Sequence, residues 1–169
     1  MPTVSDIEAT SKTRMAIEAD MTTIYMMGYD AWGDGRPHST YLEQCYGSQK
    51  YKKGQWYVLA DNEGNLLSSL ITYRLGRDVG GIGSIATPGE LRMRGLATRL
   101  IQDVLELLPR DGVKTLFLFS DISPEFYEKL GFNKLPDQFQ RYPDSVCMVR
   151  GTPVAKLISI PDFTAPSYF

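Results

Sequence analysis

A chain of 169 residues has room for one domain with a sizeable core, and 43% hydrophobic with 22% charged residues is ordinary for a globular protein, which excludes disordered and fibrous classes. A net charge of -2 argues against long-range attraction to nucleic acid or anionic membrane, and any basic site must be local. Two cysteines, Cys45 and Cys147, with His38 as the single histidine, offer neither a disulfide framework nor metal-ligand spacing, and no apolar run approaches the roughly 20 residues of a membrane helix.

Residues 1–12, "MPTVSDIEATSK", form a polar N-terminal segment without the regions of a secretory signal, so a reducing cytoplasm is the expected location. Alternation in "TRMAIEA", 13–19, predicts a strand, after which Asp20 caps a helix through "MTTIYMMGYDAW". Beyond the break at "GDGRPH", Ser39 caps a second short helix, "TYLEQCYG". The apolar runs "QWYVLAD" and "LLSSLITYRL", separated by "NEGN", read as a hairpin. A glycine-rich edge, "GRDVGGIG", then leads to a short strand, "SIAT".

The helix that starts near Gly95 sets Leu96, Leu100, Ile101, Val104, Leu105 and Leu108 on one stripe, opposite Thr98, Arg99, Gln102, Asp103 and Glu106. "VKTLFLFS" follows as an unbroken apolar run, the pattern of a strand covered on both faces, and completes a strand-helix-strand unit. Ser123, Pro124 and Glu125 start a two-turn helix, "SPEFYEKLGF", which Gly131 stops. "SVCMVR" is another strand, and 151–169, with three prolines, is expected as an edge strand or wrapping tail.

Where "SIAT" feeds the long helix, the first backbone N–H groups have no partner inside the helix and need an acceptor. Gly95 removes a side chain there, Ala97 keeps the next turn small, and Arg92 and Arg94 add positive charge beside the helix dipole. These are requirements of a phosphate or pyrophosphate site, although the spacing is neither that of a P-loop nor that of a dinucleotide fold.

Arg92-Met93-Arg94-Gly95-Leu96-Ala97 resembles the Arg/Gln-x-x-Gly-x-Gly/Ala signature of the GNAT superfamily of acyl-CoA-dependent N-acyltransferases. "LFLFSDISPEFYEKLGF" resembles that family's second signature, a strand and then a helix with a Tyr four residues before a Gly-Phe pair. The resemblance implies an α/β fold, a strongly twisted mixed sheet with helices on both faces and splayed central strands, here over an acetyltransferase domain at 13–150. It implies acetyl-CoA as acyl donor, with its pyrophosphate on the backbone of Arg92, Met93, Arg94, Gly95, Leu96 and Ala97 near the Thr98 hydroxyl. Ile85, Ala86 and Thr87 would line the pantetheine arm, and Tyr127 would stand at the acyl-CoA sulfur as general acid. The sequence departs from the family pattern at Ser120, where an Asn is common, at Ser123, where a small Ala is common, and in "GGIGSIAT", which has no carboxylate to serve as base.

Asp30, Asp34 and Glu43 lie in the segment expected to face the acceptor, interleaved with Trp32 and several tyrosines, and fit a pocket for a cationic amine. The expected acceptor is a small-molecule or peptide amine; nucleic acid and membrane are not expected partners, and a homodimer is compatible with the resemblance. A non-catalytic acyl-CoA sensor and a plain interaction domain are the rival readings.

Overall fold

The amphipathic run that follows Gly95 folds as a helix over Leu96–Leu107 with Leu96, Leu100, Ile101, Val104 and Leu105 buried, the stripe that its 3.6-residue period requires. This computed structural model describes residue 3 and residues 10–169. The strands are β1 (Lys12–Met15), β2 (Gln55–Ala60), β3 (Leu66–Arg74), β4 (Val79–Ala86), β5 (Thr115–Ser120), β6 (Asn133–Lys134) and β7 (Val146–Arg150). The helices are α1 (Met21–Met27), α2 (Tyr29–Trp32), α3 (His38–Gly47), α4 (Gln49–Lys53), α5 (Leu96–Leu107), α6 (Glu125–Glu128) and α7 (Val154–Ile158). The strands form an open seven-stranded mixed sheet in the order β1-β2-β3-β4-β5-β7-β6. β4 and β5 run parallel, as the strand-helix-strand reading requires, whereas β1 with β2, β2 with β3, β5 with β7 and β6 with β7 are antiparallel.

The chain divides into two compact units, Met1–Thr72 with Ser84–Leu107 and Tyr73–Gly83 with Leu108–Phe169. In the first unit the expected hairpin is β2 and β3, whose Val58, Leu59, Leu70 and Ile71 are fully buried. Each such side chain stabilises the fold by about 1.5–3 kcal/mol over its exposed state. Asp20 does not cap α1 with its side chain. Its carboxylate accepts from the Ile17 N–H at 2.9 Å and pairs with Arg14 at 2.7 Å, and the Arg14 hydrogen bond is the main reason its pKa is held low. Ser39 likewise lies inside α3, which begins at His38 behind Pro37 and has no side-chain cap.

In the second unit Phe117, Leu135, Cys147, Val149, Leu157 and Ala165 form one buried cluster, with Phe119, Phe139, Phe163 and Phe169 packed against it. Three expectations change here. The glycines of "GRDVGGIG" do not make an edge before a short strand, since β4 starts at Val79 and runs through Gly80, Gly81 and Gly83. An added Cβ would come within 3.1 Å of Val113 at Gly80 and within 2.5 Å of Phe169 at Gly81, so neighbouring side chains fill the room the glycines leave. The tail carries no strand; it folds into α7 behind Pro153, and Ala165 and Phe169 wrap onto the buried cluster. Finally, α6 has no side-chain cap from Ser123, whose carbonyl instead accepts from the Phe126 N–H at 3.3 Å. Gly131 does stop α6, at φ +89, with its N–H donated to the Glu128 carbonyl at 3.1 Å.

Candidate functional site

β4 changes character part-way along. Its pairing with β5 ends at Ile82 and Leu118, yet β4 continues to Ala86 and β5 to Ser120. Two residues past the last pair, Ser84 takes φ +46, a left-handed conformation that costs a non-glycine residue about 1–3 kcal/mol. Ser84 lies beside the phenol of Tyr51 and partly offsets the burial that raises the Tyr51 pKa. Tyr51 stacks on Tyr25 at 5.7 Å and meets Trp56 at 5.2 Å and 70°. Ser69 pairs with Val58, two residues along β2 from Trp56, so Ser69 and Trp56 point to one face of the hairpin. Trp56 Nε1 and Ser69 Oγ are buried on that face with no hydrogen-bond partner among the described residues. None of these four residues, Tyr51, Trp56, Ser69 and Ser84, carried a signal in the sequence, because each matters through neighbours supplied by other elements.

The end of β4 is pinned by Ser68, whose hydroxyl donates to the Ala86 carbonyl at 2.9 Å and shares a 3.0 Å bond with the Thr87 hydroxyl. Thr87 is therefore buried, while Ile85 and Ala86 are half-buried. A 3-10 turn, Gly89–Leu91, then delivers the exposed run Arg92, Met93, Arg94 and Gly95 to the start of α5. Met93 has φ +64 and Gly95 φ +76, and such left-handed residues along a loop gather successive N–H groups into an anion-binding concavity. Met93 projects wholly into solvent, at 102% exposure, so its contribution to the loop is its backbone. Among the described residues the N–H groups of Arg94, Gly95, Leu96 and Ala97 find no acceptor within the protein. Leu96 is buried under them, and the Arg99 N–H to Gly95 carbonyl bond, 3.0 Å, begins the helix. Unpartnered donors at a positive helix end, with Arg94 and Arg92 beside them, are a donor set that a diphosphate satisfies.

A profile of the acetyltransferase (GNAT) family matches residues 19–132, two thirds of the chain and the whole of the stretch just described. The chain belongs to the GNAT acetyltransferase family. A search of curated proteins finds no match to the sequence. Among solved structures, a GNAT family N-acetyltransferase from Escherichia coli in complex with CoA superposes with a TM-score of 0.63 at 19% identity, over 83% of this chain and 81% of that one. A GNAT acetyltransferase from Brucella melitensis in complex with acetyl-CoA gives 0.58 at 17% identity, over 81% and 86%. N-acetylglutamate synthase from Neisseria gonorrhoeae, complexed with coenzyme A and N-acetyl-glutamate, gives 0.63 at 19% identity, over 83% of this chain and 34% of that longer one. At these identities the likeness is one of fold.

In this GNAT chain Tyr127 lies in α6 of the second unit, 8% exposed and edge-on to Phe126 at 5.0 Å. Burial, reinforced by the charge of Asp121, pushes its phenol up to about 12. No hydrogen bond engages that phenol among the described residues. The acceptor candidates stand in different settings. Asp30 in α2 is tied to Arg92 at 2.6 Å. Trp32 lies over Gly28, where no Cβ would fit, and remains 38% exposed. Asp34 occupies the exposed turn after Gly33 at φ +50, and Glu43 is exposed on α3. Tyr29 meets His38 at 4.4 Å and donates from its hydroxyl to the Arg36 carbonyl, which makes this stretch an ordered aromatic surface. No group of acidic, histidine or cysteine residues suited to a metal ion occurs among the described residues, and no helix there is long and apolar enough to cross a membrane. Cys45 and Cys147 are both free and buried.

Proposed function

We propose that the protein is an N-acetyltransferase that moves acetyl from acetyl-CoA to a primary amine, on a small molecule, an amino acid or a lysine side chain, by direct attack in a ternary complex. The observation that carries this reading is the exposed Arg92–Gly95 loop, whose unpartnered N–H groups and positive φ values stand at the N-terminus of α5 within the region matched to the GNAT family. Acetyl-CoA supplies an activated acetyl thioester when bound. The backbone of residues 92–97 would hold its diphosphate near the Thr98 hydroxyl, and Ile85, Ala86 and Thr87 would line the arm that follows. Tyr127 gives its proton to the departing sulfur as the acceptor nitrogen bonds to the acetyl carbon and the carbon–sulfur bond breaks. Asp30, Asp34 or Glu43, with Trp32, reads the positive charge of the acceptor before water takes that nitrogen's proton. Two free buried cysteines agree with work in a reducing cytoplasm.

A thermal-shift titration with acetyl-CoA tests the cofactor, because ligand at about a hundred times its Kd stabilises by about 2.7 kcal/mol. Thiol release across a panel of amines then tests the transfer. The second reading, an acyl-CoA sensor, is favoured by one observation: the kink in β4 presents Ser84 and Tyr51 and no carboxylate. Coenzyme binding without thiol release on any amine would select the sensor, and the absence of any thermal shift would reject both readings.

A further inference from the structure

Arg92 belongs to the proposed diphosphate loop and Asp30 to the proposed acceptor wall, yet each side chain is engaged by the other. Arg92 Nη2 stands 2.6 Å from Asp30 Oδ2, and Arg92 Nε donates to the Thr87 carbonyl at 3.0 Å. The guanidinium is thereby anchored to the end of β4 and turned toward α2. The two side chains are 45% and 54% exposed, so the pair is screened by water and exchanges readily. A diphosphate on the N–H groups of Arg94–Ala97 offers more charge than one carboxylate and oxygen pairs that match the guanidinium fork.

We propose that the Arg92–Asp30 bridge is an exchange latch between the two halves of the substrate site, an inference that rests on the acyl-CoA reading above. In the free protein Arg92 neutralises Asp30. When the diphosphate of the coenzyme enters, Arg92 passes from the carboxylate to the phosphate, and Asp30 is released to meet a cationic acceptor. The donor binds first because the carboxylate that reads the acceptor is masked until then. Asp30 is thus a specificity residue whose charge becomes available only in the binary complex.

The test is titration calorimetry of coenzyme A, with no turnover, into the parent, Asp30→Asn, Arg92→Gln and the double variant, at about 0.05 M and about 0.5 M salt. All substituted positions are exposed or half-exposed, so the fold is retained, and circular dichroism verifies it. The latch requires Asp30→Asn to bind coenzyme A about two- to fivefold tighter than the parent at low salt, since an exposed bridge no longer has to open. High salt must shrink that gain, and Arg92→Gln must weaken binding. In the Arg92→Gln background, Asp30→Asn must change nothing. An unchanged Kd for Asp30→Asn overturns the latch, and so does a weaker one, which would mean that Asp30 orients Arg92 for the phosphate. An equal gain with and without Arg92 overturns it as well, in favour of a diffuse charge effect. A parent that binds no coenzyme A removes the acyl-CoA reading itself, together with the latch.

Discussion

The ring of Phe169 fills the space that a side chain at position 81 would need, its carbons standing 2.5 Å and 2.6 Å from an ideal Gly81 Cβ. That ring also meets Tyr73 at 5.5 Å and Phe119 at 5.2 Å, so the tail is held on the strands by aromatic packing. Gly81→Ala forces the ring out of its seat and is expected to destabilise the protein by about 1–3 kcal/mol. In a Phe169→Ala background the same change meets no ring and costs much less, a non-additivity that urea denaturation of the four proteins resolves. A full Gly81→Ala penalty without Phe169 would show that something other than the ring restricts the position.

The loop at Gly95 makes a second prediction. Valine at φ +76 is strained as well as bulky, so Gly95→Val loses stability and acetyl-CoA binding together. Gly95→Ala separates the two effects: the left-handed backbone costs an alanine about 1–2 kcal/mol, which leaves the protein folded. The thermal shift given by acetyl-CoA is expected to fall severalfold in Gly95→Ala and also in Arg94→Glu, which places a negative charge in the proposed diphosphate loop. Parental shifts in both variants would remove the loop from the cofactor site.

These two glycines also divide what was legible in the sequence from what was not. Gly95 announced itself because the feature it serves is local, a turn that enters a helix with a clear apolar stripe. The strand-helix-strand order and the hairpin were legible for the same reason, since period and turn chemistry are carried by neighbouring residues. Gly81 reads in the sequence as part of a glycine-rich edge, because the reason for its small size is Phe169, far along the chain. Asp20 looked like a helix cap until Arg14 claimed its carboxylate, and Asp30 looked like a free acceptor residue until Arg92 was seen beside it. Of the two forms the tail sequence allows, edge strand or wrapping tail, it takes the second, with Pro153 starting a helix and the apolar cluster beneath holding Ala165 and Phe169.

Buried thiols make a prediction for alkaline pH. Burial raises the Cys147 thiol to about 12, against about 8.5 for an unfolded cysteine. The folded pKa is the higher one, so the stabilisation is fully present below about pH 8.5 and is lost as pH rises toward about 12. Across that window the unfolded chain binds fewer protons, and stability falls by up to about 1.4 kcal/mol per pH unit from this group. Urea midpoints taken every half unit from neutrality upward should show the fall. Cys147→Ala lowers stability at neutral pH but flattens the slope, and an unchanged slope would assign the alkaline loss to other groups, such as the raised Cys45 thiol.

Tyr127 tests the proton at the sulfur. Its phenol, raised to about 12, stays protonated across the neutral range, so the side chain is available as a donor wherever the enzyme works. The same shift makes it a weaker acid than an exposed tyrosine, and against a solvated thiolate of pKa about 8.5 the transfer would be uphill. It becomes effective where the thiolate too is withdrawn from water, since desolvation raises a thiol as it raises a phenol. Tyr127→Phe keeps the ring and its edge contacts with Phe126 and Phe132, and removes an oxygen that has no partner among the described residues, so stability is expected to change little. Loss of a positioned general acid lowers a rate by about a hundred- to ten-thousand-fold, so kcat should fall by that order while the thermal shift with acetyl-CoA stays parental. Leaving-group dependence separates this role from packing: the slow variant should recover partly with acyl-donor thioesters whose leaving thiol has a low pKa and needs no proton. A folded Tyr127→Phe protein with parental kcat, or one whose deficit is the same for good and poor leaving groups, would return Tyr127 to the core as a packing residue.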